Sequence, residues 1–264
     1  MDWKFQKLVS TVRDMTLDMT GSTALVTGST SGIGTAIAKE LAQRGAHVLV
    51  CGRDAERGER VVGDLRGAGG RADFIPADLG GGAAAAKDLA ARAQRVADRN
   101  VDILVNNAAV GIIAPTADMP ESGFDAAIAT NLAAPYYLVG ALAPAMAETG
   151  KGAIVNIASM AGEFALPGMS VYGATKAALL FLTKSWAAEF GPRGVRVNAV
   201  TVGPTRTPGS AELGEALDAL AAQAPAGRVA DPAEIASAVV FLISGAASFV
   251  HGAALSVDGG RTAV

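Results

Sequence analysis

Short apolar runs alternate with helix-like segments along nearly the whole chain. The runs that predict strands cover residues 23–28, 46–51, 72–76, 102–106, 152–158, 195–201 and 253–257. Between them, helical patterns occur near residues 33–44, 54–66, 83–98, 124–148, 171–190 and 232–244. Such alternation is typical of a parallel sheet with helices on both faces. The pattern therefore predicts an α/β protein built on one doubly wound, seven-stranded parallel sheet.

The predicted strands and helices follow one another from residue 19 to residue 264 without an obvious linker. The chain has 264 residues, more than a typical domain, but α/β folds of this length commonly form one unit. We therefore predict a single domain over residues 19–264. Residues 203–230 are rich in Gly, Pro and Ala around a short helical pattern, which predicts a mobile lid.

Residues 1–18 precede the first predicted strand as an N-terminal extension. Its apolar side chains recur at loosely helical spacing, which predicts a helix. These side chains are Trp3, Phe5, Leu8, Val9, Val12 and Met15. We favour packing on the protein's own surface or on a neighbouring subunit over shallow membrane contact. Charged residues interrupt the apolar residues of this segment, unlike a secretory signal, so we expect a cytoplasmic protein.

Charge and composition argue against several kinds of partner. A net charge of −3 gives no basic field, so we expect no nucleic-acid binding. Cys51 is the single cysteine, and His47 and His251 have no cysteine or carboxylate cluster around them, so we expect no metal site. The uncharged stretch 126–147 contains an asparagine and two prolines and lacks flanking basic residues. We therefore expect a buried or subunit-interface helix there and no membrane span.

A glycine-rich motif, residues 27–34, follows the first predicted strand and precedes the first predicted helix. Gly28 permits a tight turn, Gly32 lets the backbone approach a pyrophosphate, and Gly34 lets the helix pack on the sheet. The helix N-terminus, with free N–H groups and the positive end of its dipole, then binds phosphate. The motif predicts a dinucleotide site.

Tyr172 and Lys176 stand four residues apart, and Ser159 closes an apolar run upstream of them. On a helix, this spacing places both side chains on one face, one turn apart. A neighbouring ammonium favours phenolate, so we expect the pKa of Tyr172 to fall below about 10. Such a phenol could give a proton to a carbonyl oxygen.

Further motifs stand in order along the chain. They are Asp78-Leu79, Asn106-Asn107-Ala108-Ala109, Asn131, the run 198–207 and Val257-Asp258-Gly259-Gly260. Together with the glycine motif and the Ser159, Tyr172 and Lys176 group, they resemble the short-chain dehydrogenase/reductase family over about residues 19–260. The resemblance implies a Rossmann fold and an NAD(P)-dependent oxidoreductase acting on CH–OH and C=O groups. It also implies a dimer or tetramer formed through helices near 124–148 and 171–190.

The resemblance implies a role for each catalytic residue. Tyr172 gives the proton, Ser159 hydrogen-bonds the substrate oxygen, and Lys176 lowers the pKa of the phenol and holds the nicotinamide ribose. Asn131 anchors a water that links Lys176 to solvent. The implied cofactor-binding residues are Gly28, Ser29, Thr30, Ser31, Gly32, Ile33, Gly34, Arg53, Asp78, Leu79, Asn107, Ala108, Tyr172, Lys176, Gly203, Thr205 and Thr207.

Several of these residues are assigned to particular parts of the cofactor by the resemblance. Asp78 hydrogen-bonds the adenine amino group, and Asn107 contacts the adenosine-side ribose. Its neighbour Asn106 braces adjacent strands. Thr207 contacts the nicotinamide carboxamide and so fixes which face of the ring points inward.

Cofactor choice is expected to depend on the end of the second strand. A carboxylate there accepts the ribose 2′-hydroxyl of NAD, whereas an arginine pairs with the 2′-phosphate of NADP. Gly52 stands where NAD-preferring relatives carry Asp, and Arg53 follows it. We therefore favour NADP(H), with NAD(H) possible because Asp54 could fold back and neutralise Arg53.

The predicted substrate is a small neutral ketone or secondary alcohol. No Lys or Arg other than Lys151 occurs between Arg99 and Lys176, so an acidic carrier protein finds little basic surface there. Apolar residues between Ser159 and Tyr172 suggest an uncharged pocket. Alternatives are a 3-oxoacyl-(carrier protein) reductase, an NAD-dependent sugar or polyol dehydrogenase, a catalytically silent dinucleotide sensor, and another Rossmann-like enzyme such as a methyltransferase.

Overall fold

The computed structural model of the protein describes residues 17–264. The apolar stripe predicted to form an N-terminal helix, residues 3–15, lies outside the described residues. Seven strands form where apolar runs predicted them, each end within two residues of expectation. They are β1 (Thr23–Val26), β2 (His47–Gly52), β3 (Arg71–Pro76), β4 (Ile103–Asn106), β5 (Gly152–Ile157), β6 (Val195–Val202) and β7 (Ala254–Val257).

The seven strands form one parallel sheet in the order β3-β2-β1-β4-β5-β6-β7. Leu25 of β1 pairs with Leu49 on one side and with Leu104 on the other, so β1 lies between β2 and β4. Strand order reverses at this point, and a crevice opens beyond the carboxyl ends of β1 and β4. The predicted doubly wound sheet is confirmed.

Helices cover both faces of the sheet, as predicted. They are α1 (Gly32–Gln43), α2 (Ala55–Gly67), α3 (Gly82–Ala97), α4 (Glu121–Ile128), α5 (Ala134–Glu148), α6 (Ser170–Phe190), α7 (Glu215–Ala221) and α8 (Pro232–Ile243). Val48 and Val50 of β2 join the core under α1, α2 and α8, whereas Leu49 and Cys51 join the core under α3, α5 and α6. Because successive strand residues point to opposite faces, strands β1 to β6 contribute to both cores, whereas β7 packs only against the first of them through Leu255 and Val257.

The single helix predicted near 124–148 is instead α4 and α5 joined by a π-helical turn, Ala129–Ala133. Among residues 17–264, this combined stretch is the one helix long and apolar enough to cross a membrane, yet 44% of its most apolar window is buried in the protein. Leu138, Leu142 and Met146 are part of the core. The buried face identifies a core helix.

The predicted lid, residues 203–230, is tied to the last strand at both ends. The backbone N–H of Gly203 donates to Val257 O at 3.1 Å, and that of Ala226 donates to Gly259 O at 2.9 Å. Helix α7 lies between these anchors. The lid therefore has fixed ends, and its mobility stays a prediction.

Candidate active site

A cavity of about 310 Å³ lies at the carboxyl ends of β1, β2 and β4, where strand order reverses. Its size is in the range of small-molecule sites. Most of the predicted cofactor-binding residues line it. These are Gly28, Thr30, Ser31, Gly32, Ile33, Gly34, Arg53, Asp78, Leu79, Asn107, Ala108 and Thr207.

The glycine turn forms the floor of this cavity. Gly28 has φ +63°, a backbone conformation that favours glycine, and a Cβ there would lie 2.9 Å from Ala108 Cα. A Cβ on Gly34 would lie 2.3 Å from the carbonyl oxygen of Gly28, so the first turn of α1 packs directly on the turn. The N-terminus of α1 thus borders the cavity, where its free N–H groups and dipole favour an anion such as a phosphate. Thr207 of the lid packs beside this helix start, since a Cβ on Gly32 would lie 3.1 Å from Thr207 Cβ.

Side chains from the first and fourth strands brace the glycine turn. The Asn107 amide donates to Thr27 O at 2.8 Å and to Gly28 O at 3.1 Å. The Thr27 hydroxyl accepts from the backbone N–H of Asn107 and of Ala108, each at 3.0 Å. Asn106 donates to Asn156 Oδ1 at 2.8 Å and so joins β4 to β5, the bracing role expected of it. Fixed backbone geometry at the turn preorganises the cavity.

Five predicted cofactor residues do not line this cavity: Ser29, Gly203 and Thr205, and also Tyr172 and Lys176, which are described below. The Ser29 side chain is fully buried; its hydroxyl donates to Val26 O at 2.7 Å and accepts from Cys51 N at 2.9 Å. It links β1 to β2 and does not line the cavity, which corrects the expectation that it contacts cofactor. Thr205 is buried and its hydroxyl donates to Gly203 O at 3.0 Å, so both residues shape the base of the lid.

At the adenosine end, Thr30 occupies the space beside Gly52. A Cβ on Gly52 would lie 2.6 Å from Thr30 Cγ2 and 2.7 Å from Thr30 Oγ1. Asp54 pairs with Arg57, its Oδ2 lying 2.8 Å from Arg57 Nε, and Arg53 makes no ion pair within residues 17–264. The expectation that Asp54 could neutralise Arg53 is therefore not met.

Arg57 also lines the cavity, although no sequence motif indicated it. The sequence signal was an arginine in the first turn of the helix predicted near 54–66, four residues after Arg53 and close to the end of the second strand.

The predicted catalytic residues lie together beyond β5. Ser159 follows the strand and caps the short turn after it, where its hydroxyl accepts from Ala161 N at 3.2 Å. Tyr172 and Lys176 lie on the first two turns of α6, and Lys176 Nζ is 5.6 Å from the centroid of the Tyr172 ring. Nζ donates to Ile157 O at 2.8 Å, and only 2% of Lys176 is exposed. The predicted one-face arrangement is confirmed by this geometry.

The pKa values of this pair differ from the expectation for Tyr172. Burial raises the pKa of the Tyr172 phenol, and the hydrogen bond with Ser159 opposes this in part. Burial likewise lowers the pKa of Lys176 from 10.5 to about 8. The lysine therefore does not pull the tyrosine toward phenolate here, because desolvation disfavours both charged forms. Tyr172 keeps its proton at pH 7, as a general acid requires.

Asn131 lies in the π-helical turn and joins the two parts of the site. Its Oδ1 accepts from Val110 N at 2.8 Å, and its Nδ2 donates to Val110 O at 3.0 Å and to Thr175 Oγ1 at 3.2 Å. The side chain thus holds the segment after β4 against α6. Its predicted role in anchoring a water remains a prediction.

Ser159, Tyr172 and Lys176 do not line the dinucleotide cavity themselves. They connect to its rim through Asn131, because Val110 lines the cavity and Asn131 contacts the helix of Tyr172. The arrangement therefore combines a phosphate-binding turn with a half-buried phenol and a buried amine. It can bind a dinucleotide and transfer a proton beside it.

A family model described as Enoyl-(Acyl carrier protein) reductase matches residues 28–262, which include the glycine turn, Ser159, Tyr172 and Lys176. The chain belongs to the short-chain dehydrogenase/reductase family. This short-chain dehydrogenase/reductase is 40% identical to D-threitol dehydrogenase of Mycolicibacterium smegmatis, over 94% of this chain and 96% of that protein. It is 41% identical to cis-4-hydroxycyclohexanecarboxylate dehydrogenase of Sinomonas cyclohexanicum, over 91% and 96% respectively.

Among solved structures, one from Beutenbergia cavernae, assigned as an NAD(P)-dependent gluconate 5-dehydrogenase and holding NADP at low occupancy, is 39% identical with TM-score 0.89. The match covers 94% of this chain and 99% of that chain. Similarity to named alcohol dehydrogenases over almost the whole length confirms the expected NAD(P)-dependent oxidoreductase. It argues against the methyltransferase and silent-sensor alternatives.

Proposed function

We propose that this short-chain dehydrogenase/reductase is an NADP(H)-dependent enzyme that interconverts a small neutral ketone and its secondary alcohol. The observation that carries the cofactor choice is the adenosine end of the cavity, where Thr30 fills the space beside Gly52 and Arg53 has no acidic partner in the described chain. A carboxylate that could accept the ribose 2′-hydroxyl of NAD is absent from position 52. An arginine with free donors suits a phosphate.

The contacts of the catalytic residues support a role for each of them in this proposal. When bound, the nicotinamide supplies or accepts the hydride. Tyr172, protonated at pH 7, donates its proton to the substrate oxygen during reduction and takes it back during oxidation. Ser159, a hydrogen-bond partner of the phenol, fixes the substrate oxygen next to it. The Lys176 ammonium donates a hydrogen bond to Ile157 O. When protonated, it supplies positive charge beside the Tyr172 ring.

The proposed preference for NADP(H) can be tested by a substitution that should reverse it. Wild-type protein should bind NADPH at least about tenfold more tightly than NADH, because one charge-assisted contact gives about 1.5–3 kcal/mol. In Gly52→Asp, the new carboxylate displaces Thr30 and repels the 2′-phosphate, so NADPH affinity should fall and NADH affinity should rise. Gly63→Asp is the matched control, since a Cβ on Gly63 meets nothing within 4 Å. Equal affinities for both cofactors in the wild type would contradict the proposal.

The neutral substrate class is supported by the apolar residues between Ser159 and Tyr172 in the sequence and by the relative named for D-threitol, a neutral polyol. The relative named for cis-4-hydroxycyclohexanecarboxylate shares the secondary alcohol but carries a carboxylate. A panel of cyclic ketones, acyclic ketones, polyols and a carrier-bound 3-oxoacyl group, assayed by NADPH absorbance, separates the candidates. Highest kcat/KM on a neutral ketone supports the proposal. A preference of about tenfold or more for the carrier-bound group, about 1.4 kcal/mol in transition-state binding, contradicts it.

We also propose self-association through the helices predicted for it. Aromatic side chains are exposed on these helices, including Phe124, Tyr136 and Phe181, the last with 70% of its surface exposed. Aromatic side chains are enriched at protein interfaces relative to the rest of the surface. Light scattering on the wild type and on Phe181→Ser tests the idea, since loss of a dimer or tetramer in the variant is expected. A cytoplasmic location stays a prediction.

A further inference from the structure

Arg57 is a second arginine at the adenosine end of the cavity. It lies in the first turn of α2, four residues after Arg53, which precedes the helix, and both line the cavity together with Thr30 and Gly52. The Asp54 side chain caps α2 by accepting from the backbone N–H of Arg57 at 2.9 Å. The other oxygen of the same carboxylate lies 2.8 Å from Arg57 Nε. One acidic residue thus fixes both the helix start and the direction of this arginine.

The contact with Asp54 uses only one edge of the guanidinium. Arginine has five N–H donors, and the four on its terminal nitrogens make no hydrogen bond in the part of the chain that the structure describes. These donors stay available for an anion in the cavity. Since 53% of the Arg57 side chain is exposed, an incoming phosphate can approach them.

We infer that Arg57, held in place by Asp54, is a second cofactor-selectivity residue that binds the adenosine 2′-phosphate of NADP together with Arg53. The inference rests on the proposed preference for NADP(H). Two cations on one side of a dianionic phosphate bind it more tightly than either alone, and an arginine already oriented by an ion pair loses less freedom on binding. Arg53 meets the phosphate from the strand end and Arg57 from the first turn of α2.

Arg60 provides a matched control on the same helix. It lies one further turn along α2, pairs with Glu56 at 2.8 Å, and lines the neighbouring outer groove but not the dinucleotide cavity. Replacing Arg60 removes the same charge from the same helix face without removing a group from the cavity. The control therefore distinguishes an effect of lower positive charge on the helix from the loss of a specific contact with phosphate.

The test compares Arg53→Ala, Arg57→Ala and Arg60→Ala by isothermal titration with four probes: NADPH, NADH, adenosine 2′,5′-bisphosphate and AMP. Arg57→Ala should weaken NADPH and adenosine 2′,5′-bisphosphate about tenfold, the loss of one charge-assisted contact, and change NADH and AMP less than about twofold. Arg60→Ala should resemble the wild type. Asp54→Asn should weaken the phosphate-bearing probes to a smaller extent, because Arg57 remains but is no longer fixed.

The possible outcomes are distinguishable. In one outcome, Arg53→Ala loses affinity only for NADPH and adenosine 2′,5′-bisphosphate, while Arg57→Ala binds all four probes as the wild type does. This outcome overturns the inference about Arg57 but agrees with the proposed preference for NADP(H). Equal weakening of all four probes in Arg57→Ala shows a structural role for the residue and also overturns it. A wild-type protein that binds AMP and adenosine 2′,5′-bisphosphate equally overturns the proposed NADP preference and this inference with it.

Discussion

Burial of the charged Lys176 side chain lowers the free energy of unfolding, and a single substitution can remove this cost. The pKa of this lysine falls from 10.5 to about 8, because its ammonium is enclosed by protein, with the Ile157 carbonyl as its one hydrogen-bond partner among residues 17–264. A fall of this size corresponds to about 3 kcal/mol, at about 1.4 kcal/mol for each pKa unit. Lys176→Met keeps the length of the side chain and removes the charge. Leaving the Ile157 carbonyl without its donor costs about 1 kcal/mol. We therefore expect the variant to gain about 2 kcal/mol at pH 7.

The gain should depend on pH in a defined direction. The folded pKa lies below the unfolded one, so the unfolded chain binds more protons at this position between pH 8 and pH 10.5. The free energy of unfolding of the wild type therefore rises through that window. Its penalty is about 3 kcal/mol at pH 7, about 2 at pH 9 and about 1 at pH 10. Lys176→Met lacks the titrating group. The difference in free energy of unfolding between this variant and the wild type should therefore decrease with pH as the wild-type penalty decreases.

Urea unfolding at one fixed protein concentration, at pH 7, 9 and 10, measures this difference. Lys184→Met is the control, because Lys184 lies on the same helix and is exposed. It should show no pH-dependent gain. A Lys176→Met variant that is less stable than the wild type at pH 7 would refute the reasoning, as would an advantage that stays constant up to pH 10. Activity of Lys176→Met should fall sharply, so stability and catalysis are expected to oppose each other at this residue.

The remaining predictions concern other residues of the site. Tyr172→Phe should lower kcat about 10³-fold, the contribution of a positioned general acid, while Kd for NADPH changes little; near-normal turnover would exclude the proton role. Ser29→Ala should destabilise the protein by about 1–2 kcal/mol in urea unfolding, since Cys51 N and Val26 O lose their partner. The NADPH affinity of Ser29→Ala should stay unchanged. A large loss of NADPH affinity would show that Ser29 contacts the cofactor after all. Asn131→Ala should cost about 2–3 kcal/mol, because both backbone groups of Val110 lose their partners; unchanged stability and unchanged KM would contradict its positioning role.

The fold and the identity of the main catalytic residues could be predicted from the sequence. Alternating apolar runs specify strands, since a buried parallel strand needs a short continuous apolar segment, and all seven strands formed within two residues of prediction. The glycine turn could be located because only glycine tolerates the backbone conformation of Gly28 and the close approach at Gly34. The spacing of Tyr172 and Lys176 placed both on one helix face because helix geometry is local.

The features of the site that could not be predicted from the sequence depend on contacts between segments distant in the chain. The direction of the Tyr172 pKa was decided by burial, which the packing of α6 against the sheet determines and no local spacing reveals. Ser29 was a plausible donor until the pairing of β1 with β2 enclosed its hydroxyl. Asp54 had two arginines within reach in sequence, and only the start of α2 selected Arg57. The sequence by itself determined the strands and the positions of the helices, apart from the π-helical turn Ala129–Ala133, because backbone preference and apolar spacing are local. Tertiary structure alone decided burial, and with it the charge state and partner of each functional side chain.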